Sequence, residues 1–174
     1  MGPLVRRTWA PRGRPPVLLQ RGRHREKVSV AAALWLPPAR DRVGLFTRTL
    51  VDGYFDNERM APFLTGLLKA AGGPVVVVWD GGGPHKGDPI RDLERDRAGE
   101  LWLARLPAYG SELMPVEQLW TWLKYGRLAN FAPYTVAELG AAARRELARA
   151  GRSQDLLDSF FHGSRLPRPR ALLR

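Results

Sequence analysis

Two acidic side chains stand out by what surrounds them. Asp80 ends PVVVVWD in the stretch PVVVVWDGGGPHKG (Pro74–Gly87), where four valines and a tryptophan run into a carboxylate and a glycine-rich turn carrying His85 and Lys86. Glu117 lies in LPAYGSELMPVEQLW, just inside a helix start marked by Pro115. Two carboxylates brought together hold a hard divalent cation such as Mg2+, which takes oxygen ligands in octahedral geometry. Two such cations, ~3.5–4 Å apart, clamp the attacking and leaving oxygens of a phosphodiester. A site of that kind ordinarily uses at least three acids, so this pair is a partial set. Asp80 taken alone also reads as a turn aspartate, since three glycines follow it. Glu117 falls where a glutamate usually closes a capping box with a Ser, Thr, Asp or Asn N-cap. The N-cap position here is Met114, which cannot reciprocate, so the carboxylate is left for the helix dipole or for a ligand.

The elements that must position these acids follow from patterning. VSVAAALWL (Val28–Leu36) is a continuous apolar run that fits a strand covered on both faces, and Val43–Leu50 reads as the returning strand of a hairpin. Met60, Phe63, Leu64, Leu67 and Leu68 form one apolar helical stripe, with Asp56 or Asn57 as N-cap and Ala71-Gly72-Gly73 as the stop. The valine strand then delivers Asp80, and its composition places it between helical layers. A polar helical stretch (Pro89–Ala98) leads to a short strand, Leu101–Pro107. Val116, Leu119, Trp120 and Leu123 mark the next helical face. Thr135 and Glu138 have the form of a capping box opening a helix to about Ala150, and a last short helix covers Asp155–His162. The reading is α/β, and in open α/β sheets functional groups collect beyond the carboxyl ends of strands, where Asp80 lies.

PVVVVWDGGGPHKG followed by LPAYGSELMPVEQLWTWLK resembles the endonuclease domain of DDE-superfamily transposases, in the bacterial insertion-sequence branch related to the Tc/mariner elements. That family shows a strand ending in D-N/G-x-x-x-H and then L-P-x-Y-S-P-E-L-N-P-I-E-x-x-W. The upstream RTWAPRGRPPVLL, VSVAAALWL and Phe55–Leu68 are similar to it in order, so the likeness covers most of the chain. The resemblance implies an RNase H-like mixed sheet flanked by helices, with Mg2+ or Mn2+ as cofactor and DNA as partner. It implies strand cleavage by water and strand transfer by a DNA 3′-hydroxyl. Asp80 matches the family's second acid and Glu117 its third, both as metal ligands; His85 matches the family's histidine, as a ligand or in a supporting role. Gly110, Ser111 and Met114 depart from the family pattern. The first acid is also missing: it ends a first, central strand that would lie upstream of Met1. Asp41, Asp52 and Asp56 are poorly placed to replace it, and Val17–Leu19 is too short to replace the strand. The implied organisation is a basic arm or connection (1–27), a truncated RNase H-like domain (28–163) and a basic, mobile tail (164–174). The chain is thus expected to be the catalytic part of a transposase that nicks DNA only with the first acid restored. The rival is an inactive remnant that binds DNA or pairs with a full-length transposase.

Charge agrees with a polyanionic partner. The 174 residues carry 28 Lys+Arg against 17 Asp+Glu, a net charge of +11, and cations near phosphates release condensed counterions. Arg12, Arg14, Lys86 and Lys124 are the candidate phosphate contacts; the same arginines also fit a solvated basic surface. Trp120 shares the apolar stripe of its helix and reads as core, whereas Trp122 lies off it and is a candidate for base stacking. No cysteine is present, which excludes disulfides and thiolate metal sites. No apolar run has the length of a membrane span, and the N-terminus lacks an apolar signal core, so an intracellular protein is expected, and the resemblance implies a cytoplasmic, nucleoid-associated bacterial one. GGGPHKG does not fit a phosphate-binding P-loop, because no Ser or Thr follows Lys86.

Overall fold

The computed structural model describes residues 4–19, 27–85, 87–107 and 110–167. Strands β1 (Val28–Trp35) and β2 (Gly44–Val51) form an antiparallel hairpin, in unbroken register from Val28↔Val51 to Trp35↔Gly44. Helix α1 (Asn57–Ala71) follows. The Asp56 side chain caps it by accepting the Arg59 N–H at 2.9 Å, and Gly72, at φ 74°, ends it in the left-handed conformation. Strands β3 (Val75–Trp79) and β4 (Leu101–Arg105) run parallel, joined through helix α2 (Asp88–Asp96).

The continuous apolar run of β1 is explained by two cores, one on each face. Ala31 and Ala33 join Phe63 and Leu64 of α1, Trp79 of β3, Ile90 of α2 and Leu101 of β4. Phe46 of β2 packs on Phe63 there, ring centroids 5.2 Å apart. Val30, Ala32 and Leu34 point the other way, into a cluster with Leu119, Leu147, Leu157 and Phe160. These belong to helices α3 (Pro115–Thr121), α4 (Val136–Gly151) and α5 (Gln154–Gly163). The Gln154 side chain fastens this layer to the hairpin, accepting the Val43 N–H at 2.8 Å and donating to the Val43 carbonyl at 3.0 Å. Thr135 caps α4 by accepting the Glu138 N–H, while the Glu138 carboxylate accepts the N–H of Tyr134 rather than that of Thr135.

Two expectations meet a different structure. The valine strand is covered on one face only: Val76 and Val78 are 62% and 55% exposed, and Trp102 beside them on β4 is 48% exposed. The reason is that α3–α5 pack on the β1–β2 hairpin, leaving α1 and α2 to cover β3–β4 from one side. The helix that begins at Pro115 does not run on as an ordinary α-helix but widens into a π-helical turn, Trp122–Arg127. Val17 and Leu19, expected to be too short to stand in for the first strand, pair with no strand and stand exposed. Among the described residues β1 pairs with β2 alone and β3 with β4 alone, so the two ladders share no backbone hydrogen bonds and meet beneath α1. The tail from residue 168 onward lies outside the described residues.

Candidate metal and nucleic-acid site

Asp80 is the first residue beyond β3. Its Oδ1 accepts the Gly82 N–H at 2.9 Å and lies 2.7 Å from His85 Nδ1. The same Nδ1 is 3.1 Å from the Asp80 carbonyl oxygen. A short 3-10 turn, Gly83–His85, folds the histidine back, with its N–H bonded to the Gly82 carbonyl at 3.1 Å. The imidazole then lies flat on the Trp79 indole, centroids 4.4 Å apart and planes 10° apart, and Trp79 is buried in the core under α1. A Cβ at position 82 would stand 3.0 Å from Asp80 Oδ1, so glycine gives the carboxylate its room. The Asp80 side chain is 50% exposed and open to a ligand.

Glu117 sits in the first turn of α3 with its side chain exposed, and Met114 provides no side-chain cap, as its residue type requires. The structure brings Asp80 and His85 together; it gathers no group of three His, Asp or Glu side chains at metal-holding range among the described residues. Asp56 is used in capping α1, and Asp41 and Asp52 lie in connections, Asp52 at φ 54°.

Of the candidate phosphate contacts, Arg12 and Arg14 are exposed on the arm, in a turn closed by the Arg14 N–H to the Pro11 carbonyl at 3.0 Å. Lys124 lies in the π-helical turn, and Lys86 is outside the described residues. Sequence reasoning missed how the arm is anchored. The Arg6 N–H donates to Asn130 Oδ1 at 2.8 Å, its Nη1 to the Tyr125 carbonyl at 2.7 Å, and the Asn130 N–H to the Leu4 carbonyl at 2.8 Å. The arm therefore starts from the end of the same helical rod that carries Glu117 and Lys124. Trp120 and Trp122 both pack against the core of α3–α5, Trp122 edge-on to Phe160 at 6.2 Å. Trp122 is thereby engaged in packing rather than free for base stacking. Further along the rod Arg127 Nε donates to Glu146 Oε2 at 2.7 Å, and this bond holds the Glu146 carboxyl below the usual glutamate range against the opposing effect of its burial.

The DDE superfamily endonuclease family matches residues 2–139. No curated protein matches the chain. Solved structures do. The crystal structure of the Mos1 strand transfer complex is 15% identical with a TM-score of 0.61, over 94% of this chain and 47% of that one. The Mos1 transposase paired-end complex with left transposon end is 14% identical with a TM-score of 0.60, over the same shares. The Mos1 mariner paired end complex with Mn is 15% identical with a TM-score of 0.62, over 98% of this chain and 50% of that one. The chain thus spans about half the length of each of these neighbours. At this identity the likeness is one of fold, and it bears out the expected RNase H-like α/β architecture. Among the described residues no helix is long and apolar enough to cross a membrane.

Proposed function

The chain belongs to the DDE superfamily endonuclease family, and from that membership we propose that it is the catalytic part of a transposase, acting with divalent metal in DNA strand cleavage and transfer. One observation carries the proposal: within the matched segment, Asp80 holds an anchored, solvent-facing carboxylate at the carboxyl end of β3. Asp80 and Glu117 offer the hard oxygen donors that Mg2+ or Mn2+ takes, and both are accessible. Bound cations would polarise the phosphodiester and the oxygen attacking it, from water in cleavage and from a DNA 3′-hydroxyl in transfer. The chain's own contribution is position: a strand end and a helix first turn each hold one carboxylate. Full activity calls for a third acid alongside these two. Arg12, Arg14, Lys86 and Lys124 are proposed to meet the phosphates of transposon ends and target, with a second copy or a full-length transposase as protein partner.

The absence of a three-donor cluster among the described residues favours a second reading, a non-catalytic module that binds DNA or pairs with an active transposase. One assay separates the two. Supercoiled plasmid is incubated with Mg2+ and the wild-type chain, Asp80→Asn or Glu117→Gln. Nicking by the wild type that disappears in both variants supports the catalytic site. Equal nicking by all three removes it, and DNA binding without nicking even after a strand carrying a third acid is restored at the N-terminus selects the second reading.

A further inference from the structure

We infer that His85 is a positioning residue for Asp80: it ties the carboxylate to its own backbone through Oδ1 and leaves Oδ2 as the oxygen offered to a cation. The inference rests on the reading of Asp80 as a metal ligand and adds how that ligand is aimed. An aspartate after a strand normally turns freely about its side-chain bonds. Here Nδ1 of His85 lies within hydrogen-bond distance of both Oδ1 (2.7 Å) and the carbonyl oxygen of Asp80 (3.1 Å), so one donor bridges side chain and main chain. The Gly82 N–H adds a second donor to the same Oδ1. A neutral imidazole that donates from Nδ1 carries its proton there, which fixes the tautomer. The ring is held in turn by its flat contact with buried Trp79, the residue just before Asp80. The strand thus sends one side chain into the core and the next into solvent, and His85 grips both. Two donors meet on one carboxylate oxygen, so a metal would approach the other, through a single oxygen of fixed direction.

The test separates the two roles of the ring. His85→Phe keeps an aromatic face on Trp79 and loses the donor; His85→Gln keeps a donor and loses the stacked ring. Three-bond couplings of the Asp80 β-protons report its rotamer with no metal present. They should show one rotamer in the wild-type chain, averaging in His85→Phe with little change in melting temperature, and recovery of one major rotamer in His85→Gln. Titration with Mn2+ alone, followed by electron paramagnetic resonance, should show about tenfold weaker binding for His85→Phe and near wild-type binding for His85→Gln. Gly82→Ala crowds Oδ1 at 3.0 Å while meeting His85 Nδ1 only at an ordinary contact distance of 3.6 Å, and it should average the rotamer as well, which keeps the inference testable if a His85 variant fails to fold. A single Asp80 rotamer in both His85→Phe and Gly82→Ala would overturn the inference. So would nitrogen hyperfine coupling to bound Mn2+ that vanishes in His85→Gln, because the ring would then be a ligand itself. If Asp80→Asn binds Mn2+ as well as the wild type does, the ligand reading fails, and the metal-free couplings still decide the positioning.

Discussion

Asp80 was legible in the sequence because nothing in the strand leading to it is polar: a strand of β-branched residues aims a carboxylate, and a strand end is a rigid mount. The partner of Asp80 was not legible. His85 could be named but not placed, since its contact depends on a 3-10 turn and on a stack with Trp79 that spacing does not encode. The same limit hid the Arg127–Glu146 pair, whose members lie on separate elements. That pair has a measurable consequence. The folded-state pKa of Glu146 is lowered, so its stabilisation is fully present above the unfolded glutamate value and is lost as pH falls through the lower, folded one. Arg127→Met should therefore lower the melting temperature at neutral pH and flatten its fall below about pH 4.5, compared with the wild type in thermal melts across that range.

At the scale of elements, caps and stripes were the reliable signals. Asp56, Gly72 and Thr135 all do what their types suggest, because capping is decided by neighbours in the chain. Thr135→Ala should cost about 1 kcal/mol in denaturant unfolding. The π-helical turn was invisible because the residues at its boundary, Leu119 and Leu123, satisfy an α-helical stripe equally well and are both buried. The open face of β3 was misjudged for a related reason. Four consecutive valines imply burial, but the covering helices gather on the hairpin instead, and only the fold as a whole decides that. Val76, Val78 and Trp102 make an apolar patch across β3 and β4, whose outer edges pair with no strand among the described residues, a combination that promotes self-association. Val78→Lys should reduce aggregation in light scattering while leaving the melting temperature nearly unchanged, since that side chain is already more than half in water.

At the scale of the molecule, the +11 charge and the arm anchored beside the helix of Glu117 belong to one surface argument. If Arg12 and Arg14 meet phosphates, replacing each with alanine should lower the slope of log affinity against log salt by about one, without altering sequence preference. An unchanged slope in filter-binding or fluorescence titrations would leave the arm as solvated surface. The overall α/β order could be read from the sequence because each element announces itself locally. The separation into two ladders could not be seen so directly, because it depends on which edges find partners.

The meeting of the two ladders under a single helix governs how the molecule holds together. Within the described residues, β1–β2 and β3–β4 communicate through α1 by side-chain contact alone, with no rungs between them. Interlocked apolar groups, Phe46 against Phe63 with Trp79 and Leu101 in the same cluster, act as a keystone where a sheet would normally supply a continuous weave. Such a joint is strong in compression and weak in shear. Strand β3 can therefore tilt against the hairpin without breaking a main-chain bond between described residues, and the direction of its end, with Asp80 just beyond it, follows how firmly that one helix is seated.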